Sequence, residues 1–356
     1  MKFKQKNKDI QYDFSHILKT KNLNIFGIYS KKIILVGLLL GLIHTLPFAQ
    51  SNSATNSSWP NKPIRWIIPY TPGGITDSAT RLVLQKVQND LGWNFIIDNK
   101  PGANSILGAD IAAKSVPDGY TFLTVIGAHA ANATLYAGRL PYDPVKSFTP
   151  ISLVGITPLL MTANVNAPFK NVKEMIAFAK SNPNKVSYGS SGIGSASHLT
   201  FELLKQVSSI DAIHAPYKGT APALADLIGG NIQIMTDTPS ALMPFVKSGK
   251  IKPIAVFSPK RVKGIEEIPT IQESGGPAIE GSTWVLFLGP TGVPKEIVNK
   301  LSGEIAKAIR STEITQKFEE LAIEPIGNTP TEAGRFLDEE ILKWSKVITN
   351  AGVKAE

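Results

Sequence analysis

The sequence contains no cysteine. This absence excludes disulfide bonds, zinc sites built on thiolates, cysteine nucleophiles and a lipid-modified N-terminal cysteine. The rest of the composition is that of a globular protein, since 43% of the 356 residues are hydrophobic and 18% are charged. A chain of this length is expected to form about two domains.

The chain also lacks a clustered basic region outside its first residues. Its formal net charge is +9, but eight lysines against two aspartates in residues 1–49 account for +6 of that charge. The remaining 307 residues therefore carry only +3. Because nucleic-acid binding needs a basic face, we expect no nucleic-acid partner.

The apolar run near the start is shorter than the roughly 20 residues that a membrane-spanning helix needs. It extends from Ile33 to Leu46, follows Lys31 and Lys32, and precedes Pro47-Phe48-Ala49. A positive segment, a short apolar run and a small residue are together typical of a secretory signal.

We therefore predict a signal peptide over residues 1–49, with an unusually long N-terminal region and cleavage after Ala49. Residues 50–58 are small and polar and are expected to form a flexible mature N-terminus. The predicted location is the periplasm. An uncleaved form that stays anchored in the membrane is the alternative.

Motifs for catalysis and metal binding are absent from the sequence. The predicted mature part has three histidines (His129, His198 and His214) and neither a His-Glu-x-x-His nor a Gly-x-Ser-x-Gly motif. No metal-ligand spacing occurs either. We therefore expect no enzyme activity, no metal and no cofactor.

Short β-branched segments alternate with helical patterns, which indicates an α/β fold with largely parallel sheets. Ligands bind such sheets beyond the carboxyl ends of the strands. The predicted strands are 64–68, 94–98, 120–126, 151–162 (one or two strands), 186–188, 232–235, 254–257 and 284–288. The predicted helices are 76–91, 171–180, one that ends near 207, 221–228, 294–310 and one that follows Thr329.

Two glycine-rich loops each join a predicted strand to a predicted helix: residues 69–77 (PYTPGGITD) and residues 188–195 (YGSSGIGS). Glycine lets a ligand approach the backbone, and the first amides of a helix are unpaired and lie at the positive end of its dipole. Such an end can bind a carboxylate or a phosphate. Either loop alone is equally consistent with a plain connection, but two suggest jaws that close on one anion. Phosphate is less favoured, because neither loop contains a basic residue or a phosphate-binding motif.

Two aspartates near these segments allow two interpretations each. Asp77 either caps its helix or accepts a hydrogen bond from a ligand or an ordered water, while Arg81 is explained by a helical ion pair with it. Asp237 follows an apolar strand, and an unpaired buried carboxylate is costly. It therefore either caps a neighbouring helix or meets a donor group of a ligand.

Three further residues are candidates for the neighbourhood of the ligand. His129 follows a predicted strand and either lines a cleft or is structural. His198 lies in the first turn of its helix, where packing as a neutral imidazole is favoured over ligand contact. Tyr217 precedes another helix and is a candidate for the wall of a pocket.

A series of short motifs runs in order through most of the mature chain. They are Trp59-Pro60, Lys62-Pro63-Ile64, Pro72-Gly73-Gly74 with Asp77 and Arg81, Asn99-Lys100-Pro101-Gly102-Ala103, Pro117-Asp118-Gly119-Tyr120-Thr121, Tyr142-Asp143-Pro144, Phe148-Thr149-Pro150, Tyr188 to Leu199, Pro216-Tyr217-Lys218-Gly219, Pro269-Thr270 and Trp344. Through these motifs the chain resembles the receptors of tripartite tricarboxylate transporters, the Bug family, over about residues 59–354.

The resemblance implies a periplasmic binding protein fold of type II, with two α/β lobes, a two-strand hinge and a ligand cleft between the lobes. We place lobe 1 at residues 59–156 plus 286–356 and lobe 2 at residues 157–285. It also implies that the two loops hold a carboxylate through amides and ordered water. The expected ligand-binding residues are Tyr70, Thr71, Gly73, Gly74, Thr76, Asp77, Ala128, His129, Ser190, Ser191, Gly192, Gly194, Ser195, His198, Tyr217 and Asp237.

The implied function is capture of a small organic carboxylate by a monomer that delivers it to the membrane permease subunits of the transporter. A receptor that reports to a sensor kinase is the second interpretation, and an enzyme acting on a carboxylate is the third. The family usually has phenylalanine and a small residue where Tyr70 and Thr71 stand, and the segment Gly127-Ala128-His129 also differs. Both departures add polarity near the cleft and leave the identity of the ligand open.

Overall fold

The computed structural model describes residues 59–355. The predicted signal peptide and the predicted flexible segment at residues 50–58 lie outside the described residues. Within the described part, no helix has the length and hydropathy needed to cross a membrane. The same residues contain no group of three or more His, Asp or Glu side chains placed to hold a metal ion.

Helices and strands alternate along the described chain. Its elements, in order, are β1 (Ile64–Ile68), α1 (Ile75–Leu91), β2 (Phe95–Asn99), α2 (Ile106–Ala113), β3 (Thr121–Val125), α3 (Gly127–Leu135), β4 (Phe148–Pro158), β5 (Leu160–Asn164), α4 (Val172–Ser181), β6 (Ser187–Ser190), α5 (Ala196–Ser208), β7 (Ile213–Pro216), α6 (Thr220–Gly229), β8 (Ile234–Asp237), α7 (Pro239–Lys247), β9 (Ile251–Val256), β10 (Ser282–Pro290), α8 (Lys295–Ile309), α9 (Thr312–Glu320), β11 (Glu324–Pro325) and α10 (Pro330–Ala351).

The strands form two sheets, ordered β11-β4-β10-β3-β1-β2 and β7-β6-β8-β5-β9. In the first sheet β1 is parallel to β2 and β3, but β10 is antiparallel to β3 and β4. In the second sheet β6 is parallel to β7 and β8, but β5 is antiparallel to β8 and β9. The prediction of largely parallel sheets is therefore wrong. The strands β5 and β10 run against their neighbours because each is the strand by which the chain enters a sheet from the other one.

The sheets are joined where β4 continues into β5 and where β9 leads towards β10. At this junction the N–H of Leu159 donates to the carbonyl of Gly281 (2.9 Å), and the N–H of Gly281 donates to that of Phe257 (3.0 Å). The N–H of Phe257 donates in turn to the carbonyl of Leu159 (2.9 Å). This ring of three backbone hydrogen bonds forms the two-strand hinge that the fold class implies.

Aromatic side chains fill the core on both faces of the first sheet. On one face Trp66 is fully buried, with its ring centroid 4.6 Å from that of Phe287, and its indole N–H donates to Thr124 Oγ1 (2.8 Å). On the other face the buried carboxylate of Glu340 accepts from the indole N–H groups of Trp284 and Trp344, both at 2.8 Å. These hydrogen bonds supply the acceptors that the indole N–H groups need when they are buried.

Local sequence signals account for most element boundaries. Strand β1 has the predicted bounds, and Asn171 caps α4 by accepting from the amide of Glu174 (2.8 Å). Thr329 caps α10 in a capping box. The patterns miss α2 and α3, which are rich in alanine and glycine and present no regular apolar stripe. They also miss α7 and α9. The predicted lobe boundaries stay a prediction.

Candidate functional site

A cleft of about 590 Å³ lies between the two sheets, beside the hinge. From the first sheet it is lined by the loop that precedes α1, by Asn104, and by Ile126 and Ala128. From the second it is lined by residues that precede or begin α5, α6 and α7, and Leu159 and Thr283 line it at the hinge. Both glycine-rich loops therefore face one cleft.

In the part of the chain that the structure describes, five helices begin at this cleft: α1, α3, α5, α6 and α7. Each follows a strand, and residues of the N-cap or first turn of each line the cavity. All five follow strands whose carboxyl ends point towards the cleft. Because the first amides of a helix have no partner inside it and carry partial positive charge, each of these helix ends presents a partial positive charge to the cleft. The sequence predicted two such helix ends.

No lysine, arginine or histidine side chain lines the cleft among the described residues, and its single charged side chain is that of Asp237. The other polar groups are hydroxyls, such as those of Thr76 and Ser195, the Asn104 amide and the backbone. An anion bound here would be held by dipoles and hydrogen bonds rather than by ion pairs. This arrangement suits a carboxylate better than a polyphosphate, which usually binds to basic side chains as well.

The carboxylate of Asp77 braces the first loop from behind. Its Oδ2 accepts from the amide of Gly73 (3.1 Å) and from Nε of Arg81 (2.9 Å), while its Oδ1 accepts from Nδ2 of Asn99 (3.1 Å). Burial alone would raise the pKa of Asp77, but these bonds outweigh it and hold the pKa below its ordinary value of 3.8. The predicted ion pair with Arg81 is confirmed. Asp77 does not line the cleft.

The second loop is held by its own hydroxyls. The Ser195 hydroxyl donates to the carbonyl of Gly192 (2.7 Å) and accepts from the amide of His198, which caps α5. Ser197, which the sequence did not single out, lies 2.9 Å from the Ser195 hydroxyl and accepts from the amide of Ser191 (3.3 Å). These bonds shape the loop and leave Ser191, Ser195 and Ser197 on the cavity wall.

Two stacked imidazoles support the second loop from inside the lobe. The rings of His198 and His214 lie 3.8 Å apart, centroid to centroid, and are nearly parallel. Nδ1 of His198 accepts from the amide of Gly194 (3.1 Å), and Nε2 of His214 lies 2.7 Å from the hydroxyl of Ser190. Burial lowers the pKa of His198 to about 4 and that of His214 to about 3. Both are therefore neutral near pH 7, as the sequence favoured for His198.

The structure thus places the predicted residues in two groups. Those on the cavity wall are Tyr70, Thr71, Gly73, Gly74, Thr76, Ala128, Ser191, Ser195 and Asp237. Those behind the wall are Asp77, His129, Ser190, Gly192, Gly194, His198 and Tyr217.

His129 and Tyr217 correct the sequence-based expectation. His129 is fully buried, its Nε2 bonds to the carbonyl of Pro144 (2.9 Å), and its ring stacks on that of Tyr142. The hydroxyl of Tyr217 donates to the carboxylate of Asp226 (2.5 Å). Both side chains form hydrogen bonds to residues of their own lobe, and neither lines the cavity.

Several cavity residues escaped the sequence analysis. Asn104 lies in a turn of three consecutive non-glycine residues with positive φ, and its amide pairs with that of Asn132 (2.8 Å). No sequence pattern reveals that backbone. Thr238, by contrast, precedes Pro239 at the start of α7, the same Thr-Pro signal that located α10. The same signal could therefore have located the start of α7 from the sequence.

The position of Asp77 yields a testable expectation. Asp77→Asn should lower the free energy of unfolding by about 1 kcal/mol, because charge-assisted hydrogen bonds to the loop are lost. Ligand affinity should change little. Because the folded-state pKa is depressed, this stabilisation is complete above the ordinary value of 3.8 and is lost as the pH falls through the folded-state value.

Thermal melts of both proteins from pH 7 to pH 2 and calorimetric titration at pH 7 measure these quantities. The melting-temperature difference should narrow at the acid end. Asp90→Asn, which removes an exposed carboxylate at the far end of α1, is the control. A several-fold affinity loss without a stability change would show that Asp77 contacts the ligand.

Comparison with known proteins agrees with this geometry. Residues 79–353 match the family described as the tripartite tricarboxylate transporter family receptor. A solved structure of Rpa4515 from R. palustris with adipate is 34% identical, covers 83% of this chain and 99% of its own, and superposes with a TM-score of 0.77.

Two further structures are similar. The periplasmic binding protein BugD is 31% identical with a TM-score of 0.73, over 84% of this chain and all of its own. MatC from Rhodopseudomonas palustris with bound malate is 29% identical with a TM-score of 0.72, over 81% of this chain and 99% of its own. Together with the two lobes and the cleft at their hinge, these matches show that the chain belongs to the receptor family of tripartite tricarboxylate transporters and has the fold of its periplasmic solute-binding proteins.

Proposed function

We propose that this protein is a periplasmic receptor that captures a small organic carboxylate in the cleft between its lobes and delivers it to a tripartite tricarboxylate transporter. The observation that carries the proposal is the convergence of five helix N-termini on a cavity whose wall, as formed by residues 59–355, has no basic side chain. Solved relatives with adipate and with malate support the same class of ligand.

Each loop supplies a different part of the binding. The first presents Gly73, Gly74 and Thr76 from one lobe, and the second presents Ser191 and Ser195 from the other. A carboxylate between them accepts hydrogen bonds from both lobes at once, so binding favours the closed arrangement over an open one. We place this movement at the hinge of Leu159, Phe257 and Gly281, where the chain within residues 59–355 passes between the sheets twice, from β4 to β5 and from β9 to β10.

Ligand binding should therefore raise the melting temperature selectively. A ligand present at about 100 times its dissociation constant stabilises the folded state by about 2.7 kcal/mol. A thermal-shift panel of mono-, di- and tricarboxylates, amino acids, sugars and nucleotides measures this effect at pH 7. We expect stabilisation by one or a few carboxylic acids. Stabilisation by neutral sugars or nucleotides alone would refute the proposal.

Native mass spectrometry of the purified protein is the direct route to the ligand. A cleft of this kind can retain its ligand through purification, and the mass difference between native and denatured protein then identifies it. Incubation of that ligand with the protein should give no product, as expected for a receptor rather than an enzyme.

The partners follow from the family. We propose the permease subunits of the transporter as the membrane partner, with a sensor kinase as the second candidate. Either partner would bind the surface that the two lobes form in the closed state. Co-purification of tagged receptor with each membrane protein, with and without ligand, separates them. For the location, the intact mass of protein from a periplasmic extract should correspond to a chain beginning near Gln50.

A further inference from the structure

The cleft contains one feature that does not fit a site for a simple carboxylate. All five helix ends favour negative charge, and yet the single charged side chain on the described wall is itself a carboxylate, that of Asp237. Asp237 ends β8, immediately before α7, and is 8% exposed. A ligand with only carboxylate groups would bring one negative charge against another in a poorly solvated space.

The hydrogen bonds of Asp237 leave part of its capacity unused. Its Oδ1 accepts from the amide of Thr238 (2.7 Å), and its Oδ2 accepts from the hydroxyl of Thr220 (2.8 Å). An ionised carboxylate offers about four acceptor positions. The amide and hydroxyl of Thr238 and the hydroxyl of Thr220 occupy up to three of them, so about one is left. Within the described residues, Asp237 takes part in no ion pair. Burial accordingly raises its pKa.

A structural role explains part of this arrangement. Asp237 links the end of β8 to the first residue of α6 and to the N-cap of α7, and both helix ends stabilise its charge. A brace could be formed by a neutral asparagine or threonine at lower cost, since neither carries a charge into the cleft. The negative charge of Asp237 has a function if a donor group of the ligand forms a hydrogen bond to the carboxylate.

Resting on the proposed function, we infer that Asp237 determines specificity by accepting a hydrogen bond from a donor group on the ligand. The ligand class is then a carboxylic acid that also carries a hydroxyl or an ammonium group, such as a hydroxy acid or an amino acid. The helix ends bind the carboxylate of the ligand, and Asp237 accepts a hydrogen bond from its hydroxyl or ammonium group. Unsubstituted acids of the same length leave Asp237 buried without that partner.

Matched ligand sets test this inference on the wild-type protein. The sets are succinate, malate and aspartate; glutarate, 2-hydroxyglutarate and glutamate; and propionate, lactate and alanine. Calorimetric titration at pH 7 should show that, in the set that binds, a donor-bearing acid exceeds its unsubstituted partner by about tenfold or more, as expected for a hydrogen bond to a charged group. Comparison within the set distinguishes a hydroxyl from an ammonium group.

Asp237→Asn provides the second arm. The substitution keeps the shape and one acceptor, but it removes the charge that attracts the donor and repels carboxylates. The unsubstituted acid should bind more tightly than it does to wild type, and the preference should fall to within about threefold. Asp90→Asn is the control and should keep the wild-type preference. It makes the same charge change at the exposed end of α1, about 21 Å along the helix from the end that lies at the cleft.

The outcomes are distinct. Equal affinity for substituted and unsubstituted acids in the wild type overturns the inference and leaves the proposed function intact. A preference that persists in a folded Asp237→Asn protein also overturns it, because another group then reads the donor. If no carboxylate in any set or in the thermal-shift panel binds, the proposed function fails and the inference fails with it. The wild-type comparison stands even if the variant does not fold.

Discussion

Replacing Gly74 by valine is expected to reduce ligand affinity by about a hundredfold or more, while the protein stays folded. Gly74 is the N-cap of α1 and lines the cleft, and its φ of −76° is open to any residue. A Cβ built there meets no atom within 4 Å. The new side chain therefore occupies the space in which the ligand must approach the first amides of α1.

The size of this effect follows from what the ligand would lose. Separation from two amides removes two hydrogen bonds to a charged group, each contributing about 1.5–3 kcal/mol. Stability should fall by only about 1 kcal/mol, because valine is a poorer N-cap than glycine. Calorimetric titration and thermal melts measure both quantities.

Gly303→Val is the matched control for this variant. Gly303 is an exposed residue of α8, and a Cβ there also meets no atom within 4 Å. Its affinity should equal that of the wild type. Wild-type affinity in a folded Gly74→Val protein would place the ligand outside this cleft and would contradict the proposed function.

The second large effect is expected at the hinge, where Gly281→Ala should destabilise the protein. A Cβ on Gly281 would lie 2.1 Å from Cγ2 and 2.6 Å from Oγ1 of Thr200, a fully buried residue of α5. Thr200 is β-branched and stiff at χ1, so it cannot turn away cheaply. Overpacking of this kind costs about 1–3 kcal/mol. The hinge hydrogen bonds that the Gly281 carbonyl accepts from Leu159 and that the Gly281 N–H donates to Phe257 would be strained as well.

A double-mutant cycle isolates the cause. Thr200→Ala removes the two nearest atoms, so the double variant Gly281→Ala/Thr200→Ala should be less destabilised than the sum of the single variants. Urea unfolding of the four proteins gives the coupling energy, which we expect to be favourable by about 1 kcal/mol. Simple additivity would show that the contact between hinge and α5 does not limit the packing at Gly281.

Prediction from sequence succeeded where the structure depends on neighbouring residues. An apolar β-branched run gave the bounds of β1, and the side chains of Asn171 and Thr329 marked the starts of α4 and α10. A cap or a short strand is stabilised by contacts within a few residues. The helices α2 and α3 were missed because their alanine-rich segments carry no such local signal.

Strand direction could not be predicted in the same way. The alternation of strands and helices favoured parallel pairing, and it holds for β1, β2 and β3. The strands β5 and β10 are antiparallel to their neighbours because the chain crosses between the sheets there. No local pattern in these strands distinguishes parallel from antiparallel pairing, since a strand buries similar apolar side chains in either arrangement.

For the binding site, the sequence determined the chemistry and the tertiary structure determined the positions. Glycine-rich loops before helices specify unpaired amides at positive helix ends, because this property arises within a single turn of helix. The sequence also determined the absence of cysteine chemistry and the motifs of the family. These conclusions need no knowledge of how distant segments meet.

Only folding brought five helix ends to one cleft from segments between residues 70 and 241. Folding also decided that Asp77, in the first turn of α1, turns towards its own loop, while Asp237, the last residue of β8, lies on the cavity wall. The direction in which each carboxylate points depends on the side chains packed around it, such as Asn99 for Asp77 and Thr220 for Asp237. Those partners are 22 and 17 residues away in sequence, beyond the reach of any local pattern.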